Sequence, residues 1–160
     1  MTALSKRDVV EALRKTIADR LRSAAQMTAD ARAEATAEES RAENKYDTRA
    51  TEASYLAAGQ GRRLESLRTL AAWLEGLDPQ ARHAEVGVGA LVGLTEPGRP
   101  PQWVLVGPTG GPSVEVDGQT VLLSSLASPL GEALDEAEAG DGIEVDSPRG
   151  IRRLRVDQVW

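Results

Sequence analysis

The last third of the chain contains the stretch that decides the fold, Ser124-Ser125-Leu126-Ala127-Ser128-Pro129-Leu130-Gly131-Glu132-Ala133-Leu134, which is followed by Ala139-Gly140-Asp141-Gly142-Ile143-Glu144-Val145. Ser128 is a favoured residue for a helix N-cap, and Pro129 suits the first helical position. The pattern therefore predicts a strand that ends near Ser124, a short helix over 129–138, a Gly-Asp turn and another strand.

Short apolar runs between Gly and Pro residues continue this pattern through the C-terminal half. Asp117-Gly118 is a hairpin-turn signal. The runs predict strands over 86–94, 103–106, 114–116, 120–124, 142–146 and 151–160. We expect residues 84–160 to form a small antiparallel β-sheet domain with one short helix, so the fold class is α+β.

The N-terminal half predicts two long helices. Residues 5–44 contain neither Pro nor Gly, a second helical pattern covers 48–77, and Asp78-Pro79 ends it. A heptad seam is indicated on the first helix by Val10, Leu13, Ile17, Ala24, Met27 and Ala31. The short link at 45–47 can only join antiparallel neighbours, which pairs Ile17 with Leu74, Met27 with Leu64 and Ala35 with Leu56. Residues 1–79 are thus predicted to form an antiparallel coiled-coil hairpin, and we expect a monomer because the seam closes within one chain.

Charge and composition narrow the function. The net charge is −6, with 14 basic and 13 acidic residues in 1–82 against 5 basic and 12 acidic in 83–160. Direct, sequence-specific nucleic-acid binding is disfavoured, because phosphate contacts require concentrated Lys and Arg; a protein partner with a basic surface fits better. Without Cys, and with His83 as the one histidine, a zinc site or a Ser-His-Asp triad is not expected. We expect a cytoplasmic protein without a membrane span or intrinsic cofactor.

The order of strand, Ser-Pro-Leu-Gly-x-Ala-Leu helix, Gly-Asp turn and strand, behind an Ala-rich helical hairpin, resembles the bacterial Gre family of transcript-cleavage factors (GreA/GreB). The resemblance implies that the C-terminal domain is FKBP-like and docks on bacterial RNA polymerase at the rim of its secondary channel. The implied docking residues are Ser128, Pro129, Leu130, Gly131, Asp135 and Glu136. We expect this acidic region, which also holds Glu132 and Glu138, to meet a basic polymerase surface.

The same resemblance points to the hairpin tip. Family members carry Asp-x-x-Glu-Asn there, and its two carboxylates help to hold a second Mg²⁺ in the polymerase active site. Here Ser40-Arg41-Ala42-Glu43-Asn44 retains the Glu-Asn pair with Ser40 at the Asp position, whereas Asp47-Thr48-Arg49-Ala50 keeps the Asp and lacks the Glu.

Three tip acids could still converge on one cation, namely Glu39, Glu43 and Asp47. The metal-assisting residues would be Glu43 and Asp47, acting only with Mg²⁺ shared with the polymerase, since a hard cation prefers anionic oxygen ligands. The alternative is a solvated tip with ordinary helix charges.

The function implied by the resemblance is that of a transcription elongation regulator. It would modulate backtracked or paused complexes by occupying the channel or by stimulating transcript cleavage, and it would not be an enzyme because the polymerase supplies the active site. One alternative is a structural or oligomerisation coiled-coil protein with an FKBP-like interaction domain and no polymerase partner. Another is an FKBP-like isomerase or chaperone. The active sites of such isomerases are lined by aromatic side chains, however, and the aromatic residues of this domain are only Trp103 and Trp160.

Overall fold

The computed structural model describes residues 3–41 and 49–160 and shows an α+β fold. Two long helices come first, and a six-stranded sheet with one short helix follows. The helices are α1 (Lys6–Arg41), α2 (Arg49–Gly76) and α3 (Pro129–Leu134). The strands are β1 (Leu91–Thr95), β2 (Gln102–Gly107), β3 (Val114–Val116), β4 (Gln119–Ser125), β5 (Gly142–Ser147) and β6 (Gly150–Val159).

The sheet has the strand order β3-β4-β2-β1-β6-β5. All neighbouring strands are antiparallel, as expected, except that β2 and β4 are parallel, with Trp103 opposite Val121. Asp117 and Gly118 both have positive φ and turn β3 back on β4, which confirms the predicted hairpin. Because β3 occupies the sheet edge, β4 lies beside β2 and runs in the same direction, so the sheet is mixed.

One face of the sheet forms a hydrophobic core with α3. Leu134 of α3 is fully buried, and Leu126 and Leu130 are partly buried against the same cluster. The buried members are Val86, Ala90, Val92, Leu94, Val104, Val106, Leu134, Ala137, Ile143, Val145, Leu154 and Val156. This core fixes α3 against the sheet and thereby fixes the residues that α3 exposes.

Met1–Thr16 and Trp73–Trp160 form one compact unit. Within it the ends of the long helices are tied down by long side chains. The Lys6 Nζ donates hydrogen bonds to the carbonyl oxygens of Ala81 (2.9 Å) and Trp160 (3.2 Å), and burial lowers the pKa of Lys6. The Arg14 guanidinium donates to the Leu74 carbonyl oxygen at 2.8 Å. The predicted division into residues 1–79 and 84–160 stays a prediction.

Ile17–Ala72 form the second compact unit, in which the two helices bury a seam. The buried seam residues are Ile17, Ala24, Thr28, Ala31 and Ala35 on α1, and Ala57, Leu64 and Leu70 on α2. The buried residues nearer the link between the helices are Ala31, Ala35 and Ala57, whereas the larger Ile17, Leu64 and Leu70 are buried further from it. Small seam residues allow helix axes to approach to the short end of the 8–10 Å range that is typical of helix packing.

The predicted pairing of this seam is wrong at two positions. Met27 is 48% exposed and Leu56 is 53% exposed, whereas the next residues, Thr28 and Ala57, are buried. Ile17, Ala24 and Ala31 fit two heptad registers, one of which adds Met27 but also places the charged Arg20 in the seam. Burying that charge is costly, and the chain adopts the register that adds Thr28 and Ala35 instead.

Among the described residues, no helix has both the length and the apolar character that crossing a membrane requires.

Candidate docking surface

The turn into α3 is organised by the Ser128 side chain. Its hydroxyl accepts a hydrogen bond from the Gly131 N–H (3.0 Å) and lies 2.8 Å from the Ser125 carbonyl oxygen, to which it donates. Because the hydroxyl has one hydrogen, the 2.8 Å contact with Ser124 Oγ is then donated by Ser124. Ser128 is therefore the N-cap, as predicted, and it joins the end of β4 to the first turn of α3.

Gly131 occupies a position where there is no room for a side chain. A Cβ on Gly131 would overlap the Ser125 carbonyl oxygen and would lie 2.6 Å from the Leu126 Cα. Contacts this short are not tolerated, so the glycine is required by the close approach of two backbone segments. Ser128 and Gly131 thus fix the backbone of the predicted docking surface rather than form its exposed face. Pro129, at the first helical position, is exposed.

The end of α3 is held by the segment before β1. The Glu136 N–H donates to the Val86 carbonyl oxygen (3.1 Å), and the Val86 N–H donates to the Ala137 carbonyl oxygen (2.8 Å). Glu136 has φ of 60°, so the chain leaves the helix here. The helix consequently ends at Leu134, earlier than the predicted 138, and the residues after it are fixed in a turn.

Four carboxylates extend from this framework into solvent. Glu132, Asp135, Glu136 and Glu138 are all exposed. Within the part of the chain that the structure describes, none of the four forms an ion pair. We name these four side chains the acidic surface; their charges are open to a partner.

Four of the five arginines in residues 83–160 form ion pairs elsewhere, on β6 and the β1–β2 loop, and Arg149 forms none with the described residues. Arg152 donates two hydrogen bonds to the Glu96 carboxylate (2.6 and 3.1 Å), and Arg153 pairs with Glu144 at 3.0 Å. The Arg152 hydrogen bond is the main reason that the pKa of Glu96 is lowered. Most of the positive charge in this domain is thus paired with other carboxylates, and the acidic surface is left without ion-pair partners in the described ranges of the chain.

The predicted tip residues lie at the limit of the described residues or beyond it. Glu39 belongs to α1, while Glu43 and Asp47 lie outside the described residues. In the described ranges, no three His, Asp or Glu side chains are grouped as ligands for a metal ion. The metal role of Glu43 and Asp47 therefore stays a prediction.

Sequence reasoning missed three residues that build the acidic surface: Ser124, Ser125 and Val86. Ser124 and Ser125 were part of the quoted motif, and two serines just before an N-cap are a signal for side-chain bonding at a helix start. Val86 was predicted to lie in the first strand. Its backbone instead bonds to the turn that follows α3, and Glu85 forms an isolated β-bridge with Glu138.

No protein-family model matches the sequence, and no curated protein matches it. Among solved structures, the fold is similar to that of GreA factor homolog 1 (Gfh1) of Thermus thermophilus, at 22% identity and a TM-score of 0.37, over 92% of this chain and 94% of that chain. Gfh1 of Thermus aquaticus is 22% identical with a TM-score of 0.39, over 91% of this chain and 92% of that one.

A third similar structure is the transcription elongation factor GreA/GreB from Nitrosomonas europaea. It is 24% identical with a TM-score of 0.35, over 58% of this chain and 77% of that chain. These proteins carry the names of the family that the Ser-Pro-Leu-Gly stretch resembles. At identities and TM-scores this low, the likeness concerns the fold alone and gives no residue-by-residue correspondence.

Proposed function

We propose that this protein is an elongation regulator of bacterial RNA polymerase that docks beside the secondary channel through the acidic surface and inserts its hairpin into the channel. The observation that carries the proposal is the acidic surface itself. It presents four uncompensated carboxylates on a turn that Ser128 and Gly131 hold in one conformation. A rigid surface of one charge sign suits a protein partner of the opposite sign.

The charge pattern favours a protein over a nucleic acid as the docking partner. Residues 83–160 carry 5 basic and 12 acidic side chains, and Arg152 and Arg153 are paired with Glu96 and Glu144. A nucleic-acid phosphate would be repelled from the acidic surface, whereas a basic protein surface would be attracted to it. The family resemblance of the sequence supports the rim of the polymerase channel as that basic surface.

The hairpin suits insertion into a channel because its outer seam is made of alanine. Ala31, Ala35 and Ala57 are buried where larger seam residues would separate the helices. The resulting helix pair is slender in cross-section. We infer that the outer hairpin enters the polymerase, while the domain around α3 stays outside.

At the tip, Glu39, Glu43 and Asp47 would lie near the catalytic Mg²⁺ of the polymerase. Carboxylate oxygens are ligands that Mg²⁺ accepts. Because neither sequence register retains both family acids, channel occupancy is favoured over stimulation of transcript cleavage. In either case the protein itself is not an enzyme in this proposal, since the reaction takes place in the polymerase.

The test is direct binding to purified core RNA polymerase, followed by size-exclusion chromatography with light scattering. We expect the free protein to elute at its monomer mass of 17.0 kDa, and the mixture to give a complex with the polymerase. A free protein at a multiple of that mass that forms no complex would instead support the structural or oligomerisation alternative. An isomerase assay on a Pro-containing peptide tests the FKBP-like alternative.

A further inference from the structure

Thr28 buries a hydroxyl group that has no partner. The residue is 2% exposed in the seam of the hairpin, and its Oγ1 forms no hydrogen bond. By contrast, Ser66 and Thr69 of α2 donate to the carbonyl oxygen one turn earlier, Ser66 to that of Arg62 (3.1 Å) and Thr69 to that of Glu65 (3.1 Å). A buried hydroxyl without a partner disfavours the packed state.

Gln60 adds a second unpaired polar group to the same part of the seam. Its Oε1 is buried and has no hydrogen-bond partner. Gln60 lies between the buried seam residues Ala57 and Leu64, at the spacing of one turn from each. Two polar defects therefore occur at neighbouring levels of one coiled-coil seam.

Two glycines flank Gln60 inside α2, and nothing in the packing requires them. A Cβ on Gly59 would have an Arg62 guanidinium nitrogen at 3.8 Å as its nearest contact, and a Cβ on Gly61 an Arg32 guanidinium nitrogen at 3.7 Å. Both are ordinary contacts, and neither glycine has positive φ. Glycine inside a helix is destabilising relative to alanine, so Gly59 and Gly61 weaken this level without any steric need.

We propose that Thr28, Gly59, Gln60 and Gly61 form a weak layer at which the outer hairpin opens independently of the inner hairpin. The outer hairpin is defined here as residues 31–37 with 51–57, and the inner hairpin as 17–24 with 64–72. The weak layer opens together with the outer hairpin: this removes the cost of holding Gly59 and Gly61 in a helix and exposes the two unpaired polar groups to water. Meanwhile Ile17, Leu64 and Leu70 stay packed. The inference concerns the free protein and does not depend on the proposed function.

Hydrogen exchange of the full chain, followed by mass spectrometry of peptides, tests this opening. We expect the amides of the outer hairpin to exchange at least about tenfold faster than those of the inner hairpin, with a step at the weak layer. Gly59→Ala combined with Gly61→Ala should slow exchange of the outer hairpin by roughly ten- to thirtyfold, since each alanine favours the helix. Thr28→Val, which removes the unpaired hydroxyl, should slow it several-fold.

Gly76→Ala is the matched control, because it is the same change in the same helix and a Cβ there meets nothing within 4 Å. It should leave exchange of the outer hairpin unchanged. Equal protection of the outer and inner hairpins in the natural protein would overturn the proposal. So would a double alanine variant whose outer hairpin exchanges as fast as that of the Gly76→Ala control.

Discussion

Gly131 packs so closely against the carbonyl oxygen of Ser125 that a Cβ on Gly131 would overlap that oxygen. The contact joins the first turn of α3 to the end of β4. Ser128 reinforces it by donating to the same carbonyl and accepting from the Gly131 N–H. A tight connection from strand to helix thus requires Ser and Gly at these positions of the Ser-Pro-Leu-Gly sequence. The acidic surface depends on this connection.

Gly131→Ala should lower the free energy of unfolding by about 1–3 kcal/mol, because the added methyl group forces two backbone segments apart. Urea unfolding of the full chain measures this change. Gly142→Ala is the control, since a Cβ at that exposed position of β5 meets nothing within 4 Å. Equal unfolding free energies for the two variants would contradict the close approach at Gly131.

The seam register makes opposite predictions for two large apolar residues. Leu64 is buried and Met27 is 48% exposed. Leu64→Ala should therefore reduce the free energy of unfolding by about 2–5 kcal/mol, whereas Met27→Ala should change it by less than about 1 kcal/mol. Thermal and urea unfolding of both variants provide the measurement. A large loss of unfolding free energy in Met27→Ala would show that Met27 is buried, and would support the seam register that the sequence pattern predicts.

The sequence predicted those elements whose signals are local. Ser128 and Pro129 begin α3, Asp117-Gly118 turns β3 into β4, and Asp78-Pro79 follows the end of α2. In each case one or two side chains fix the backbone by themselves. The α+β fold class follows from this order of elements.

The features that the sequence could not predict depend on distant partners. Periodicity predicted Met27 in the seam, whereas Thr28 is the buried residue; both fit the spacing of Ile17, Ala24 and Ala31, and only packing against the second helix selects one. The parallel pairing of β2 with β4 depends on where β3 lies in the sheet, which no turn signal specifies. The sequence predicts the acidic region around α3, but that its four carboxylates are exposed and unpaired depends on arginines such as Arg152 and Arg153 finding their partners elsewhere in the sheet.

The ion pair between Glu96 and Arg152 predicts a specific pH dependence of stability. Because the pKa of Glu96 in the folded state is below its ordinary value of 4.5, the unfolded state binds more protons in acid. The stabilisation is fully present above about pH 4.5 and is lost as the pH falls through the lowered pKa. Arg152→Met should remove this part of the acid sensitivity.

Urea unfolding at about pH 6 and about pH 3 measures the effect. The control is Arg99→Met, because Arg99 lies further from the Glu96 carboxylate (3.7 Å, against 2.6 Å for Arg152) and is more exposed. It should retain most of the acid sensitivity of the natural protein. If Arg152→Met loses as much stability on acidification as the natural protein, the ion pair is not the cause.

For the hairpin tip, we predict that any stimulation of transcript cleavage requires Glu43 and Asp47. Glu43→Ala combined with Asp47→Ala should abolish it and leave polymerase affinity nearly unchanged, because the change removes only the carboxylates that we propose contact the metal. If the natural protein does not stimulate cleavage, it should inhibit by channel occupancy, and a shortened hairpin should lose that inhibition. Cleavage of a stalled, backtracked complex is the measurement.

The control for the tip is Glu34→Ala combined with Glu52→Ala, which removes the same charge from exposed positions of α1 and α2. It should behave like the natural protein. Identical behaviour of the natural, tip-mutated and shortened proteins, with binding to polymerase demonstrated, would eliminate the tip as a functional element.

The acidic surface predicts salt-sensitive docking on RNA polymerase. Asp135→Lys combined with Glu136→Lys should slow association and weaken its salt dependence, since charges around an interface act mainly on the association rate. The matched control is Glu115→Lys combined with Asp146→Lys. It makes the same change in net charge at exposed positions of β3 and β5.

The most direct test of docking through the acidic surface is the association rate of these three proteins with immobilised core RNA polymerase, measured at increasing salt concentrations. We predict that the natural protein and the Glu115 and Asp146 control associate at similar rates that fall as salt rises, while the Asp135 and Glu136 variant associates at least about tenfold more slowly at low salt. Equal rates for all three proteins, or no association by the natural protein, would contradict docking through the acidic surface.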